Sequence, residues 1–112
     1  MLRLTPNHFS YTLSKSLLWT MTTTMAQSFA PRIRVNAVSP GPVQTPILSE
    51  FRAVLGDARV DSDISRVDRA GTPGDVAPAV LYLCSDGARW INGVNLPVDG
   101  GLMAGNGHLN RD

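Results

Sequence analysis

The chain has 112 residues, enough for one small domain and short for two. Its 43% apolar and 17% charged content excludes a disordered polymer. A formal net charge of +1, with acids and bases interspersed, provides no basic stripe or acidic tail for nucleic acid or a membrane surface.

One cysteine, Cys84, excludes an internal disulfide and a multi-cysteine metal site, and in "LYLCSD" it is expected to be a small buried residue. His8 and His108 stand far apart, with no Cys or carboxylate at ligand spacing, so no metal is expected. No apolar run approaches the ~20 residues that span a bilayer, and nothing reads as a secretion signal. A cytoplasmic location is expected.

Residues 1–9 carry no clear period, and Pro6-Asn7 marks a turn. From Ser10 to Phe29, Leu13, Leu17, Leu18, Met21, Met25 and Phe29 recur at three- and four-residue steps, which predicts an amphipathic helix. Thr22, Thr23 and Thr24 are poor helix formers, so tertiary packing has to hold that stretch; Pro31 ends it. "RIRVNAVS" (32–39) alternates as a strand, and "PGPVQTP" (40–46) is loop chemistry. A short helix is predicted over 47–56, stopped by Gly56, and another around Asp61–Val67. In 72–86, Thr72 is the N-cap and Pro73 the first residue of a further helix. Asn92-Gly93 turns into a short strand, Val94–Val98, with a glycine exit; the tail from Met103 is expected to be disordered.

Helix, strand, helices, strand, with no hairpin signal, suits an α/β fold with parallel strands joined by a helical crossover. Two strands make a thin sheet, and "RIRVNAVS" would keep one edge unpaired.

Tyr11 and Lys15 stand one helical turn apart on one face. A free phenol titrates near ~10, and a neighbouring ammonium favours the phenolate, so the pair can exchange a proton as an alcohol and a carbonyl interconvert. Tyr-x-x-x-Lys alone is also what any exposed helix face produces by chance. The "PGPVQT" segment is equally compatible with a plain proline-rich loop.

Taken together, "YTLSK", "RIRVNAVSPGPVQTP" and "DVAPAVLYLCSD…INGVNLPVDGG", in that order over about residues 7–102, resemble the short-chain dehydrogenase/reductase family. Coniferyl-alcohol and 3α-hydroxysteroid dehydrogenase-like members are the most similar in pattern. The resemblance implies the C-terminal part of a Rossmann-like, doubly wound parallel sheet. It makes Tyr11 the acid/base, and Lys15 its assistant and the ligand of the nicotinamide ribose. Pro40, Gly41, Val43 and Thr45 form the loop for the nicotinamide carboxamide. The cofactor is NAD or NADP, and the substrate a small alcohol/carbonyl pair. The helix 10–29 is implied to pack between subunits of a homo-oligomer. Segment 47–70 corresponds to the variable substrate lid, and Asp99-Gly100-Gly101 to the closing turn.

Two family features have no counterpart. The first glycine is Gly41, so no glycine-rich loop cradles a pyrophosphate before it. Ten residues precede Tyr11, too few for the family's catalytic serine. The expectation is a chain lacking the N-terminal half of the fold and inactive by itself. The alternative is a non-enzymatic module that associates through helix 10–29 with itself or a full-length relative.

Overall fold

The computed structural model describes residues 9–65 and 67–104. In chain order it runs α1 (Phe9–Phe29), β1 (Ala37–Pro40), α2 (Pro46–Leu55), α3 (Asp57–Ser65), α4 (Pro73–Cys84), a 3-10 turn (Asp86–Ala88) and β2 (Asn95–Val98). β1 and β2 pair in parallel, from Ala37 opposite Asn95 to Pro40 opposite Val98. Parallel neighbours need a crossover, and α2, α3 and α4 supply it. The expected α/β arrangement is what forms. His8, His108 and most of the tail lie outside the described residues.

The strand expected over 32–39 starts only at Ala37. Just before it, asparagine side chains replace ladder partners. The Val35 N–H donates to Asn92 Oδ1 (2.9 Å), and its carbonyl accepts the Gly93 N–H (2.8 Å). Asn36 donates from Nδ2 to the Ile91 carbonyl and accepts the Val94 N–H at Oδ1, both at 3.0 Å. Backbone groups that a longer strand would satisfy are therefore paired with amides. Asn36 thus bridges across the sheet in a structural role. Asn36→Ala removes the partner of the Val94 N–H, at a cost of about 1–3 kcal/mol, while the Ile91 carbonyl keeps its bond from Arg34 Nη1 (3.1 Å). A lower urea midpoint at unchanged slope checks this.

α1 forms as expected but buries an unexpected face. Its buried residues are Thr12, Thr22 and Ala26, while Leu17 (55% exposed) and Met21 (54% exposed) stay in the open. Small residues allow close approach. A Cβ on Gly93, whose φ is +76°, would meet the Ala26 Cβ at 3.3 Å, and Asn92 Nδ2 donates to the Ala26 carbonyl (3.1 Å). The Thr22 hydroxyl donates to the Leu18 carbonyl (2.8 Å), so its burial leaves no unsatisfied group.

The third helix begins at Asp57, earlier than expected, with that carboxylate in its positive first turn. Arg52 at the end of α2 reaches Asp57 (3.3 Å) and Asp61 (2.7 Å), tying α2 to α3 across Gly56. Cys84, expected to be buried, is exposed. It lies at the end of α4, beside an open cleft with Arg34, Val38 and Val80, while Leu83 takes the buried position. Among the described residues no helix is long and apolar enough to cross a membrane.

Candidate active site

The loop after β1 is held from two sides. On one, the Gly41 N–H donates to the Val98 carbonyl at 3.1 Å, and the loop runs so close to β2 that a Cβ on Gly41 would sit 2.9 Å from the Asp99 Cα. On the other, Gly71 donates its N–H to the Pro42 carbonyl and accepts the Gln44 N–H, both at 2.8 Å, forming a parallel bridge to Val43. In such a bridge the bonds go to the residues flanking Val43, so the Val43 N–H and C=O turn away from Gly71. The carbonyl takes the Thr45 hydroxyl at 3.3 Å. The Val43 N–H has no partner among the described residues. Thr45, with extended backbone, is the N-cap of α2, and Pro46 is the first helical residue.

α1 brings Tyr11 and Lys15 to the same place. The Lys15 ammonium lies 5.4 Å from the centroid of the Tyr11 ring, within cation–π range. Phe51 of α2 meets that ring edge-on, with centroids 5.3 Å apart and planes at 87°. Tyr11, Lys15, Pro40, Gly41, Val43 and Thr45 all line one cleft of about 520 Å³. Ile47, Leu48, Phe51 and Val76 complete its apolar wall, and Lys15 is the only charged side chain lining it among the described residues. The site expected from the sequence is spatially contiguous. Ile47, Leu48 and Phe51 of α2 were not singled out, because segment 47–70 carries no fixed pattern to read.

A smaller cleft of about 200 Å³ lies on the far side of the loop, lined by Gly41, Val43, Arg69, Gly71, Asp75 and Asp99 among others. Arg69 grips Asp75 with two parallel bonds, Nη1 to Oδ2 at 2.8 Å and Nη2 to Oδ1 at 3.0 Å. Asp75 Oδ2 also accepts the Thr72 N–H (2.7 Å) and hydroxyl (3.0 Å). Thr72 was legible as a cap. Asp75 three residues on completes an S/T-x-x-D/E pattern that could have flagged the carboxylate as well.

The Arg69 guanidinium, followed by the Thr72 bonds, holds the Asp75 carboxyl well below the usual carboxylate range. A carboxyl depressed in the folded state contributes stability that is complete above its ordinary value of 3.8 and is lost as pH falls toward the lower folded-state value. Because the pair is exposed, the thermal midpoint is expected to drop only slightly as pH falls below 3.8, with a shallower fall in Asp75→Asn. Melts across pH check the difference in slope.

The profile of the family described as enoyl-(acyl carrier protein) reductase matches residues 1–103. Coniferyl-alcohol dehydrogenase from a Pseudomonas species is 42% identical over 98 residues, which are 86% of this chain and 38% of that protein. The ligand-free aldohexose dehydrogenase of Thermoplasma acidophilum superposes with a TM-score of 0.75 at 35% identity, over 91% of this chain and 44% of that one. A 4-hydroxyisoleucine dehydrogenase mutant complexed with NADH and succinate gives 0.73 at 37% identity, over 87% and 40%. The chain thus spans well under half the length of these relatives. By profile, sequence and backbone it belongs to the short-chain dehydrogenase/reductase family and carries a part of that family's fold.

Proposed function

We propose that the chain is the proton-transfer and nicotinamide-loop portion of an NAD(P)-dependent oxidoreductase that interconverts an alcohol and a carbonyl. One observation carries the reading: Tyr11 and Lys15 from α1, Pro40, Gly41 and Val43 from the β1 exit and Thr45 from the cap of α2 line a single cleft. The cofactor fits the donor set. The unpartnered Val43 N–H and the Thr45 hydroxyl suit a carboxamide, the Lys15 ammonium suits a ribose hydroxyl, and side-chain-free Gly41 brings the loop in close. A relative of known structure, 4-hydroxyisoleucine dehydrogenase, is complexed with NADH.

When bound, the nicotinamide supplies or accepts the hydride. The chain's own residues handle the proton. In reduction the Tyr11 hydroxyl donates to the carbonyl oxygen as it gains charge, and in oxidation the phenolate takes the alcohol proton. Lys15 stands beside the phenol, its ammonium 5.4 Å from the ring centroid. The walls formed by Ile47, Leu48, Phe51 and Val76 favour an uncharged, apolar alcohol.

The test is turnover by the natural polypeptide that carries these residues, followed by nicotinamide absorbance with secondary alcohols and their ketones. NADH and NADPH titrations run alongside. Saturable binding and turnover are expected; a folded protein that does neither overturns the reading.

A second reading has its own observation: α1 exposes Leu17, Leu18, Met21 and Met25 along one side. Contiguous exposed apolar surface favours association, with a second copy or a full-length relative packing on α1. Sedimentation of the chain should show a dimer or larger species that Leu17→Asp dissociates. A monomer for both would remove α1 as a contact.

A further inference from the structure

We propose that Arg69 and Asp75 are positioning residues for the 40–45 loop: by pinning the 69–72 segment to the start of α4, they hold Gly71 where it aims the Val43 N–H into its ligand-binding orientation. The inference rests on the nicotinamide-loop reading and extends it to two residues outside the cleft.

The chain of contacts is short. Asp75 sits in the first turn of α4, and its carboxylate holds Arg69 by two bonds and Thr72 by two more. Arg69 Nη1 also donates to the Ala70 carbonyl (3.1 Å), so both residues before Gly71 are tied to one carboxylate, directly or through the guanidinium. Ala70 is 8% exposed, an anchor on the core side. Gly71 then bonds Pro42 and Gln44 on either side of Val43. That pairing alone turns the Val43 N–H away from the bridge.

No regular strand stabilises residues 42–44; the bridge to Gly71 is isolated. On this side of the loop two hydrogen bonds orient residues 42–44, and the segment supplying them is fixed from outside by a side-chain pair. The pair is solvent-accessible, with side chains 61% and 38% exposed for Arg69 and Asp75. An exposed pair adds little to overall stability and is screened by salt. Its removal should loosen one loop without unfolding the chain.

Amide hydrogen exchange on the full chain tests this, read at Gly71 and Gln44 and compared with Ala37, whose N–H bonds Val94 in the sheet. In Arg69→Gln, protection at Gly71 and Gln44 should fall about 3-fold or more while Ala37 keeps its rate. Arg69→Lys, which keeps the charge without the fork, should recover part of the loss. Raising salt to ~1 M on the unaltered chain should produce the same local pattern, so the test survives a variant that fails to fold. Unchanged protection at Gly71 and Gln44, or equal loss at Ala37, overturns the proposal. NADH titration separates the two ideas. If the unaltered protein never binds NADH, the cofactor reading fails, while local exchange still decides what Arg69 and Asp75 do. If it binds, affinity should fall in Arg69→Gln and recover in Arg69→Lys.

Discussion

Tyr11→Phe in the natural polypeptide is expected to lower kcat/KM by about 100- to 10,000-fold while leaving the melt almost unchanged. The substitution removes one oxygen and keeps the ring. The edge-on contact with Phe51 at 5.3 Å depends on the ring, as does the 5.4 Å approach of the Lys15 ammonium. An aromatic pair of this kind adds about 0.5–1.5 kcal/mol, and Phe retains it. Tyr11 is 39% exposed, so no void opens in a core. In the proposed mechanism the lost hydroxyl is the group that gives or takes the proton, and among the described residues Lys15 is the only other ionisable side chain lining the cleft. Parallel measurement of kcat/KM and thermal midpoint separates chemistry from folding. Undiminished turnover would take the acid/base role from Tyr11, whereas loss of both together would make it a packing residue.

How much of this could be read in the chain depends on whether the physics was local. The i, i+4 placement of Tyr11 and Lys15, the Thr72-Pro73 helix start and the Asn92-Gly93 turn follow from backbone geometry within a few residues, and all three appear where the sequence puts them. The length of β1 did not. Its first half is satisfied by Asn92 and by Ile91, more than fifty positions away, and no alternation of apolar residues reports that. Nor did the inward face of α1. Periodicity marks the leucines and methionines, but the position that meets Gly93 is the small Ala26, and Thr12 and Thr22 are the other buried residues of the helix. Cys84 was misjudged for the same reason: burial belongs to what packs opposite, and the partner for that side of α4 is not written in "LYLCSD". Motif order singled out six residues that the fold brings to one cleft. It did not reveal the bridge that orients Val43, because that bridge joins positions 43 and 71.

Gly41→Ala is expected to destabilise the chain by about 1–3 kcal/mol and to displace the loop, although its backbone is one any residue could adopt. Gly41 is not among the glycines with positive φ. Its constraint is steric. An added Cβ would meet the Asp99 Cα at 2.9 Å, its Cβ at 3.0 Å and its carbonyl oxygen at 3.2 Å. Asp99 cannot easily retreat, since its carboxylate accepts the N–H groups of Gly101 (2.9 Å) and Met103 (3.0 Å) and so ties down the turn after β2. The strain must then pass into the Gly41–Val98 bond or into the Gly71 bridge, and either route moves Val43. Gly56 is the control. It has φ of +84° with ψ of 147° and nothing within 4 Å of an added Cβ, so Gly56→Ala strains the backbone by about 1–3 kcal/mol without touching the loop. Urea melts should show both variants weakened, but only Gly41→Ala should accelerate exchange at Gln44. Wild-type stability in Gly41→Ala would mean that the Asp99 turn yields freely, and the loop would then be held from the Gly71 side alone.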